Sequence, residues 1–296
     1  MSGPLIPCLI VGGYLGAGKT TLINAFLRDP GGLRATVLVN DFGKINIDAD
    51  LIENTSGDTV SLTNGCACCS IGDDLLAAAV QAVQADPRPD LLIVEASGVS
   101  KPARIATLLL GVSGLAPARC LTVIDNGNAR KLSKDKFVAG LFRNQIETAH
   151  MLSLNRCSTS QDRALMDGIL AKHAPNAPRV SDLTAALSTL ASGNPKLSQA
   201  NPAADSLQDP PFQTRTFQVR QDISQVDVER WAMALPDHVQ RVKGFVSVSS
   251  EGRPRILRLS QTGGDCSTQE ITGASPMSLG QVVVIGIGSL TDIPAL

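Results

Sequence analysis

Three groups of residues carry types and spacings that can do chemistry. Gly13-Tyr14-Leu15-Gly16-Ala17-Gly18-Lys19-Thr20 fits the phosphate-loop pattern G-x-x-x-x-G-K-[ST]. Glycines let a backbone wrap closely around a polyphosphate, so that its N–H groups and the N-terminus of the following helix face the anion. Lys19 then sets a point charge on the β- and γ-phosphates, and the Thr20 hydroxyl reaches a Mg²⁺ ion. Gly13, Gly16 and Gly18 are the glycines of this segment. An apolar run over 8–11 leads into the loop and a helical run over 22–27 leads out of it, as such a loop requires.

A phosphate loop needs carboxylates to complete the Mg²⁺ shell. The apolar run over 91–94 ends in Glu95-Ala96-Ser97-Gly98. That places Glu95 at the C-terminal edge of a sheet, where ligands of open α/β folds gather. There it holds a Mg²⁺ water or orients the attacking water, and the Gly98 amide senses the γ-phosphate; a Glu that merely ends a strand is the alternative. Asp41, just after the apolar run over 35–40, is a second Mg²⁺ candidate, although alone it reads as an ordinary turn residue.

The third group is Cys66-Ala67-Cys68-Cys69, which holds three of the chain's 7 Cys within four residues. Residues two apart on an extended backbone face the same way, so Cys66 and Cys68 form a pair and Cys69 comes from the turn. Thiolates suit Zn²⁺, Cu(I) or similar ions. The spacing is not the C-x₂-C pair of a closed structural zinc site. An incomplete shell leaves room for water, a carboxylate such as Asp41, or another protein's ligand, as delivery of a metal requires. A redox pair or inert thiols are the alternatives. Cys8 and Cys120 fall in apolar strands and read as small core residues. His150, His173 and His238 are scattered, each a surface or edge residue rather than a ligand.

The elements that must position these groups are legible as an α/β pattern. Near-continuous apolar runs over 8–11, 35–40, 91–95, 119–124 and 150–155 read as strands of a parallel sheet covered on both faces. Helices are expected over 20–28, 73–85 and 163–172, each stopped by Pro or Gly signals. The Ser-, Asn- and Pro-rich stretch 193–211 reads as a linker, dividing a nucleotide-binding domain over 1–192 from a smaller α+β unit over 212–296. In that unit strands over 212–220, 238–248, 255–259 and 282–287 accompany a helix over 226–235, with a Gly/Ser/Thr loop before the last strand. Trp231 and Phe245 belong to its core.

Composition narrows the classes. The chain has 296 residues, 26 Lys+Arg against 27 Asp+Glu, and a net charge of −1, which gives no support for general nucleic-acid or membrane-surface binding. Its longest apolar runs fall far short of the ~20 residues that a membrane span needs. The first residues lack a basic stretch followed by an apolar one, so no secretory signal is expected. Clustered thiols without export imply the reducing cytoplasm.

Four segments in order, GYLGAGKTT (13–21), VNDFGKINID (39–48), TNGCACC (63–69) and VEASGVSKP (94–102), resemble the CobW-like P-loop GTPases, relatives of the urease and hydrogenase nickel-insertion GTPases. QIETAHMLSLNR (145–156) and the strand RVKGFVSV (241–248) are similar to further family segments. The resemblance implies a mostly parallel P-loop sheet flanked by helices, with a smaller C-terminal domain. It implies GTP hydrolysis with Mg²⁺, and metal handling, Zn²⁺ or Co²⁺ foremost, with one branch linked to cobalamin synthesis. The partners implied are a nucleoside triphosphate and a client metalloprotein or metal-insertion enzyme, with a homodimer as an option. Carried over, Gly13, Gly16, Ala17, Gly18, Lys19, Thr20 and Thr21 bind nucleotide, Lys19 and Glu95 serve catalysis, Glu95 standing where relatives have Asp, and Cys66, Cys68 and Cys69 hold the metal. Asn155 and Arg156 occupy the first two positions of the guanine-reading N-K-x-D, but Ser158 stands in place of the Asp. Loss of that ionised acceptor costs about 1.5–3 kcal/mol of guanine preference, so ATP or relaxed use stays open. Lys44 replaces an acidic residue near the thiols. The reading is a nucleotide-gated metal carrier; a thiol metal buffer or sensor with weak hydrolysis and an ATP-using P-loop enzyme are its rivals.

Overall fold

The computed structural model describes residues 4–40, 59–62, 71–156, 159–192, 211–219, 223–250, 253–262, 265–271 and 279–296. Asp41, Lys44, Cys66, Cys68, Cys69 and Ser158, and the linker apart from Pro211, lie outside them.

Six strands form one parallel sheet: β1 (Cys8–Gly12), β2 (Ala35–Asn40), β3 (Thr59–Leu62), β4 (Leu91–Ala96), β5 (Arg119–Asp125) and β6 (Met151–Asn155), in the order β3-β2-β4-β1-β5-β6. Strands buried on both faces need apolar residues at every position, and β1 is buried at all five of its residues. Alternation divides them between two cores. Cys8 and Ile10 join Leu92 and Val94 under α2 (Ile71–Gln84) and α3 (Pro102–Leu109). Leu9 and Val11 join Leu91 and Ile93 under α1 (Lys19–Arg28) and α7 (Leu183–Ala191). Three further helices, α4 (Asn126–Lys134), α5 (Ala139–Glu147) and α6 (Ser160–His173), pack beyond β5 and β6.

Because β1 sits between β4 and β5, the chain leaves it for one side of the sheet and later returns to the other. That reversal opens a crevice at the C-terminal ends of the strands, and the loop 13–18 fills it.

The C-terminal unit is a five-stranded antiparallel sheet in the order β10-β9-β8-β11-β7. Its strands are β7 (Phe212–Gln218), β8 (Val239–Ser250), β9 (Arg253–Thr262), β10 (Asp265–Ile271) and β11 (Gln281–Ile287). One face packs Val242, Val246, Leu257, Leu259, Val282 and Val284 against Val228 and Ala232 of α8 (Gln225–Met233). The opposite face packs Phe245, Val283 and Ile285 onto Tyr14, Leu15 and Val99 of the nucleotide-binding unit. The two units therefore share a core.

The expected strands and helices are present with ends shifted by a few residues. Two expectations are corrected, and one strand, β3, was not expected. The loop before the last strand contains β10, an edge strand whose Ser, Thr and Gln residues look loop-like because an edge needs few apolar side chains. β3, only four residues long, carries too little pattern to be read. His150 is buried, not at the surface: its Nδ1 accepts from the Cys120 N–H at 3.0 Å. Burial, and secondarily the Arg119 charge, pulls its pKa down to about 4. Cys8 and Cys120 are buried core residues as expected, Phe245 is buried, and Trp231 packs edge-on against Phe217.

Candidate functional site

The phosphate loop is built on left-handed glycines. Gly13, Gly16 and Gly18 have φ of 128°, 76° and 101°, a region costly for any residue with a Cβ. Space excludes side chains as well: a Cβ on Gly13 would lie 2.1 Å from the Val123 carbonyl oxygen, and one on Gly18 would lie 2.5 Å from Asn155 Nδ2. Helix α1 starts directly from Gly18 with no side-chain cap and no acid in its first turn. Its N-terminal dipole is thereby left for an anion.

Lys19 is buried, and its Nζ donates to the carbonyls of Gly13 (3.0 Å) and Tyr14 (3.3 Å). The ammonium is thus folded back over the loop that it serves. The Thr20 hydroxyl donates to Glu95 Oε1 at 2.7 Å, and Glu95 is 2% exposed at the end of β4. Sequence separation of 75 residues is closed because β1 and β4 are paired, with Val11 opposite Glu95. Gly98 packs on the loop as well: a Cβ there would meet Leu15 N at 2.7 Å. Its carbonyl accepts from Gln145 Nε2, which also donates to the Ser100 carbonyl.

Asn155 Nδ2 donates to the Ala17 carbonyl at 3.1 Å, tying the end of β6 to the loop. Arg156 adopts φ 50° and places Nη1 3.0 Å from Asp125 Oδ2. Asp125, buried at the end of β5, also caps α4 through the Gly127 N–H and accepts from Asn128. Asp125 was not singled out from sequence; its position at the end of an apolar strand, like that of Glu95, was the available signal. Of the expected site residues, Gly13, Gly16, Ala17, Gly18, Lys19, Thr20, Thr21, Glu95, Gly98, Asn155 and Arg156 gather around one loop. Asp41 and the three clustered Cys lie outside the described residues. Among the described residues no group of three or more His, Cys, Asp or Glu could hold a metal.

The donor set fits Mg²⁺, a hard ion that takes oxygen ligands. A hydroxyl and a carboxylate converge beside a glycine cradle too tight for side chains.

The C-terminal sheet closes the crevice. Tyr14, whose hydroxyl donates to Gln240 Oε1 at 3.1 Å, links the loop to β8. A cavity of about 260 Å³ lies between the units. Gly16, Gly18, Lys19, Thr20, Thr21, Asn24 and Arg156 line it on one side, and Arg241, Lys243, Arg258, Ser260 and Ser267 on the other. Sequence reasoning allows the C-terminal unit to cover the switch region but names none of these wall residues as part of the site; the alternation Arg241-x-Lys243 on a strand was their one trace.

Residues 7–180 match the family described as CobW/HypB/UreG, nucleotide-binding domain, and residues 212–292 match the Cobalamin synthesis protein cobW C-terminal domain. The first match covers more than half of the chain, and the chain belongs to this family of P-loop proteins. A zinc chaperone CobW from Sinorhizobium sp is 37% identical over 103 residues, covering 33% of this chain and 29% of that protein. Zinc-regulated GTPase metalloprotein activator 1 of Dictyostelium discoideum is 30% identical over 207 residues, covering 57% of this chain and 43% of that protein. The matches thus span less than half the length of these relatives. The crystal structure of Zn(II)-bound YjiA GTPase from E. coli aligns with a TM-score of 0.48 at 20% identity, over 96% of this chain and 95% of that one. Among the described residues no helix is long and apolar enough to cross a membrane.

Proposed function

We propose that this protein is a nucleotide-hydrolysing metallochaperone, built from a nucleotide-binding domain over 1–192, a linker over 193–211 and a C-terminal domain over 212–296. The observation that carries the nucleotide part is the convergence of the glycine cradle, buried Lys19 and the Thr20–Glu95 pair. Gly13, Gly16, Ala17, Gly18, Thr20 and Thr21 bind the phosphates, Lys19 neutralises them, and Gly98 approaches the terminal phosphate. Thr20 and Glu95, with Asp41, hold Mg²⁺, which when bound offsets charge on the phosphates. Glu95 orients the attacking water. Asn155 and Arg156 face the base. GTP is the nucleotide favoured by family membership, with ATP the competitor because Ser158 lacks a carboxylate.

The cargo is a transition metal, Zn²⁺ before Co²⁺, held by Cys66, Cys68 and Cys69 and passed to a client metalloprotein in the cytoplasm. Support comes from the thiol spacing and from relatives whose names specify zinc. The thiols lie in sequence between Asp41 and Glu95, so ordering of that segment by the terminal phosphate would alter metal exposure. Reciprocity requires metal to change nucleotide affinity by the same factor.

The test is titration of GTP and ATP with and without Zn²⁺ or Co²⁺, on the native chain and on Lys19→Ala. A metal-dependent shift in affinity that vanishes in a Cys66/Cys68/Cys69→Ser variant is the expected result. Equal affinities with and without metal would remove the coupling; unchanged binding by Lys19→Ala would remove the nucleotide site.

A further inference from the structure

We propose that Gln145 of α5 is a positioning residue for the segment 97–100, setting the Gly98 amide against the terminal phosphate of a bound triphosphate. The inference rests on the nucleotide-site reading above and adds to it a residue that does not itself touch nucleotide.

Gln145 is 1% exposed and lies 47 positions from Gly98 in the chain. Its side-chain Nε2 has two protons and uses both on one turn, donating to the Gly98 carbonyl at 3.2 Å and to the Ser100 carbonyl at 2.9 Å. Two facing carbonyls fix which end of the amide is nitrogen. The backbone carbonyl of Gln145 is held as well, accepting from Thr122 Oγ1 at 2.8 Å. Thr122 is buried on β5 in register with Gly12, the last residue of β1. Its neighbour Val123 is the residue whose carbonyl packs on Gly13. One side chain therefore ties the segment after β4 to the two strands that end beneath the phosphate loop.

The segment is itself a tight turn. The Ser97 carbonyl accepts from the Ser100 N–H at 3.0 Å and from Ser100 Oγ at 2.8 Å. In a trans peptide the N–H and the C=O point opposite ways, so holding the Ser97 carbonyl toward Ser100 turns the Gly98 N–H away from the turn. Gly98 lies directly against the phosphate loop, where a Cβ would meet Leu15 Cδ2 at 2.6 Å and Leu15 N at 2.7 Å. The turn fixes how the amide is rotated, and Gln145 fixes where the turn stands.

An amide serving packing alone would be satisfied at both ends or replaced by an apolar side chain. Gln145 Oε1 is buried and has no hydrogen-bond partner among the described residues. A buried acceptor left unmet lowers stability, so the side chain is retained for what its two donors hold. A donor pre-set at the terminal phosphate stabilises the charge that spreads over its oxygens during transfer. Gln145 gives and takes no proton in that step. Diphosphate does not reach Gly98, so the effect is confined to triphosphate.

The experiment uses the full chain with Mg²⁺. Affinities for GDP and for the β,γ-imido analogue of GTP are measured by calorimetric titration, with the adenine pair in parallel, and turnover by phosphate release. The variants are Gln145→Met, Gln145→Asn, Gly98→Ala, Gln145→Met/Gly98→Ala and Lys19→Ala. Met fills the space of Gln without a donor; Asn keeps the donor but is one methylene too short to span both carbonyls. Gln145→Met is expected to lose about tenfold in preference for triphosphate over diphosphate, with diphosphate affinity unchanged. Its kcat is expected to fall by roughly 10²-fold. Because Gln145 acts through Gly98, the double variant is expected to be no worse than Gly98→Ala alone. A purely structural role would lower melting temperature and both affinities together and leave their ratio unmoved. Melting temperature is read for each; if Gln145→Met melts early, the decision passes to Gln145→Asn. A parental ratio and kcat in the folded variant, or additive losses in the double variant, while Lys19→Ala loses both nucleotides, would overturn the positioning role and leave the nucleotide site standing. Native binding by Lys19→Ala would overturn both.

Discussion

The seating of the C-terminal sheet on the phosphate loop can be tested through one glycine. Gly16 has φ 76°, and a Cβ there would lie 2.7 Å from Thr262 Cγ2, 3.1 Å from its Oγ1 and 3.2 Å from its Cβ. Gly16→Ala therefore incurs two separate costs. Left-handed backbone with a Cβ costs about 1–2 kcal/mol. Overpacking against β9 adds about 1–3 kcal/mol, for a total of about 2–5 kcal/mol. Thr262→Ala alone, at a half-buried strand position, costs about 0.5–1 kcal/mol. In the double variant the two nearest atoms are gone and the backbone strain remains. The cycle is thus expected to show a coupling of about 1–3 kcal/mol. Urea unfolding followed by the single Trp, Trp231 on α8, and by far-UV circular dichroism measures it. Additivity within about 0.5 kcal/mol would mean that residue 262 does not meet the loop in solution, and the seating of the C-terminal sheet on the phosphate loop would lose its basis.

Three further outcomes follow from the geometry. Thr20→Val removes the hydroxyl that donates to the buried Glu95 carboxylate and is expected to cost about 1.5–3 kcal/mol; Thr20→Ser keeps the donor, so equal unfolding midpoints for the two variants would refute the bond. His150, with a pKa near 4 in the folded chain and about 6.5 unfolded, is protonated first in the unfolded state. Its neutral form contributes stability that is fully present above pH ~6.5 and lost as pH falls toward ~4, by about 3 kcal/mol. His150→Asn keeps a short acceptor for the Cys120 N–H and is expected to flatten that part of the profile in denaturant titrations at pH 7.5 and 4.5. Cys8 and Cys120 are buried, and burial above all pushes their thiols up to about 12. Neither is expected to react with a disulfide reagent in the native protein at pH 8, although both will in denaturant; native-state labelling of either, mapped by mass spectrometry, would contradict their burial.

Much of the site was readable because its information is local. The spacing from Gly13 to Thr20 specifies a backbone path whatever surrounds it, and an apolar run such as 91–94 must be a covered strand that delivers Glu95 to its edge. Edge strand β10 was not readable, since polar residues on an edge strand have the same composition as a loop. Asp125 escaped because a lone Asp at a strand end is common, and only the paired strands bring it to Arg156.

By itself the sequence determined the class of molecule: a phosphate loop on a parallel sheet, a thiol triplet, and a second α+β unit. Those features arise from contacts within a few residues, where spacing is enough to predict geometry. Only the tertiary structure decided what lies opposite the loop. Tyr14 meets Gln240 across 226 positions, and Arg241, Lys243 and Arg258 reach the cavity because antiparallel register puts them on the inward face. No local pattern encodes that choice, since shifting a strand by one residue would turn the same cations to the opposite face.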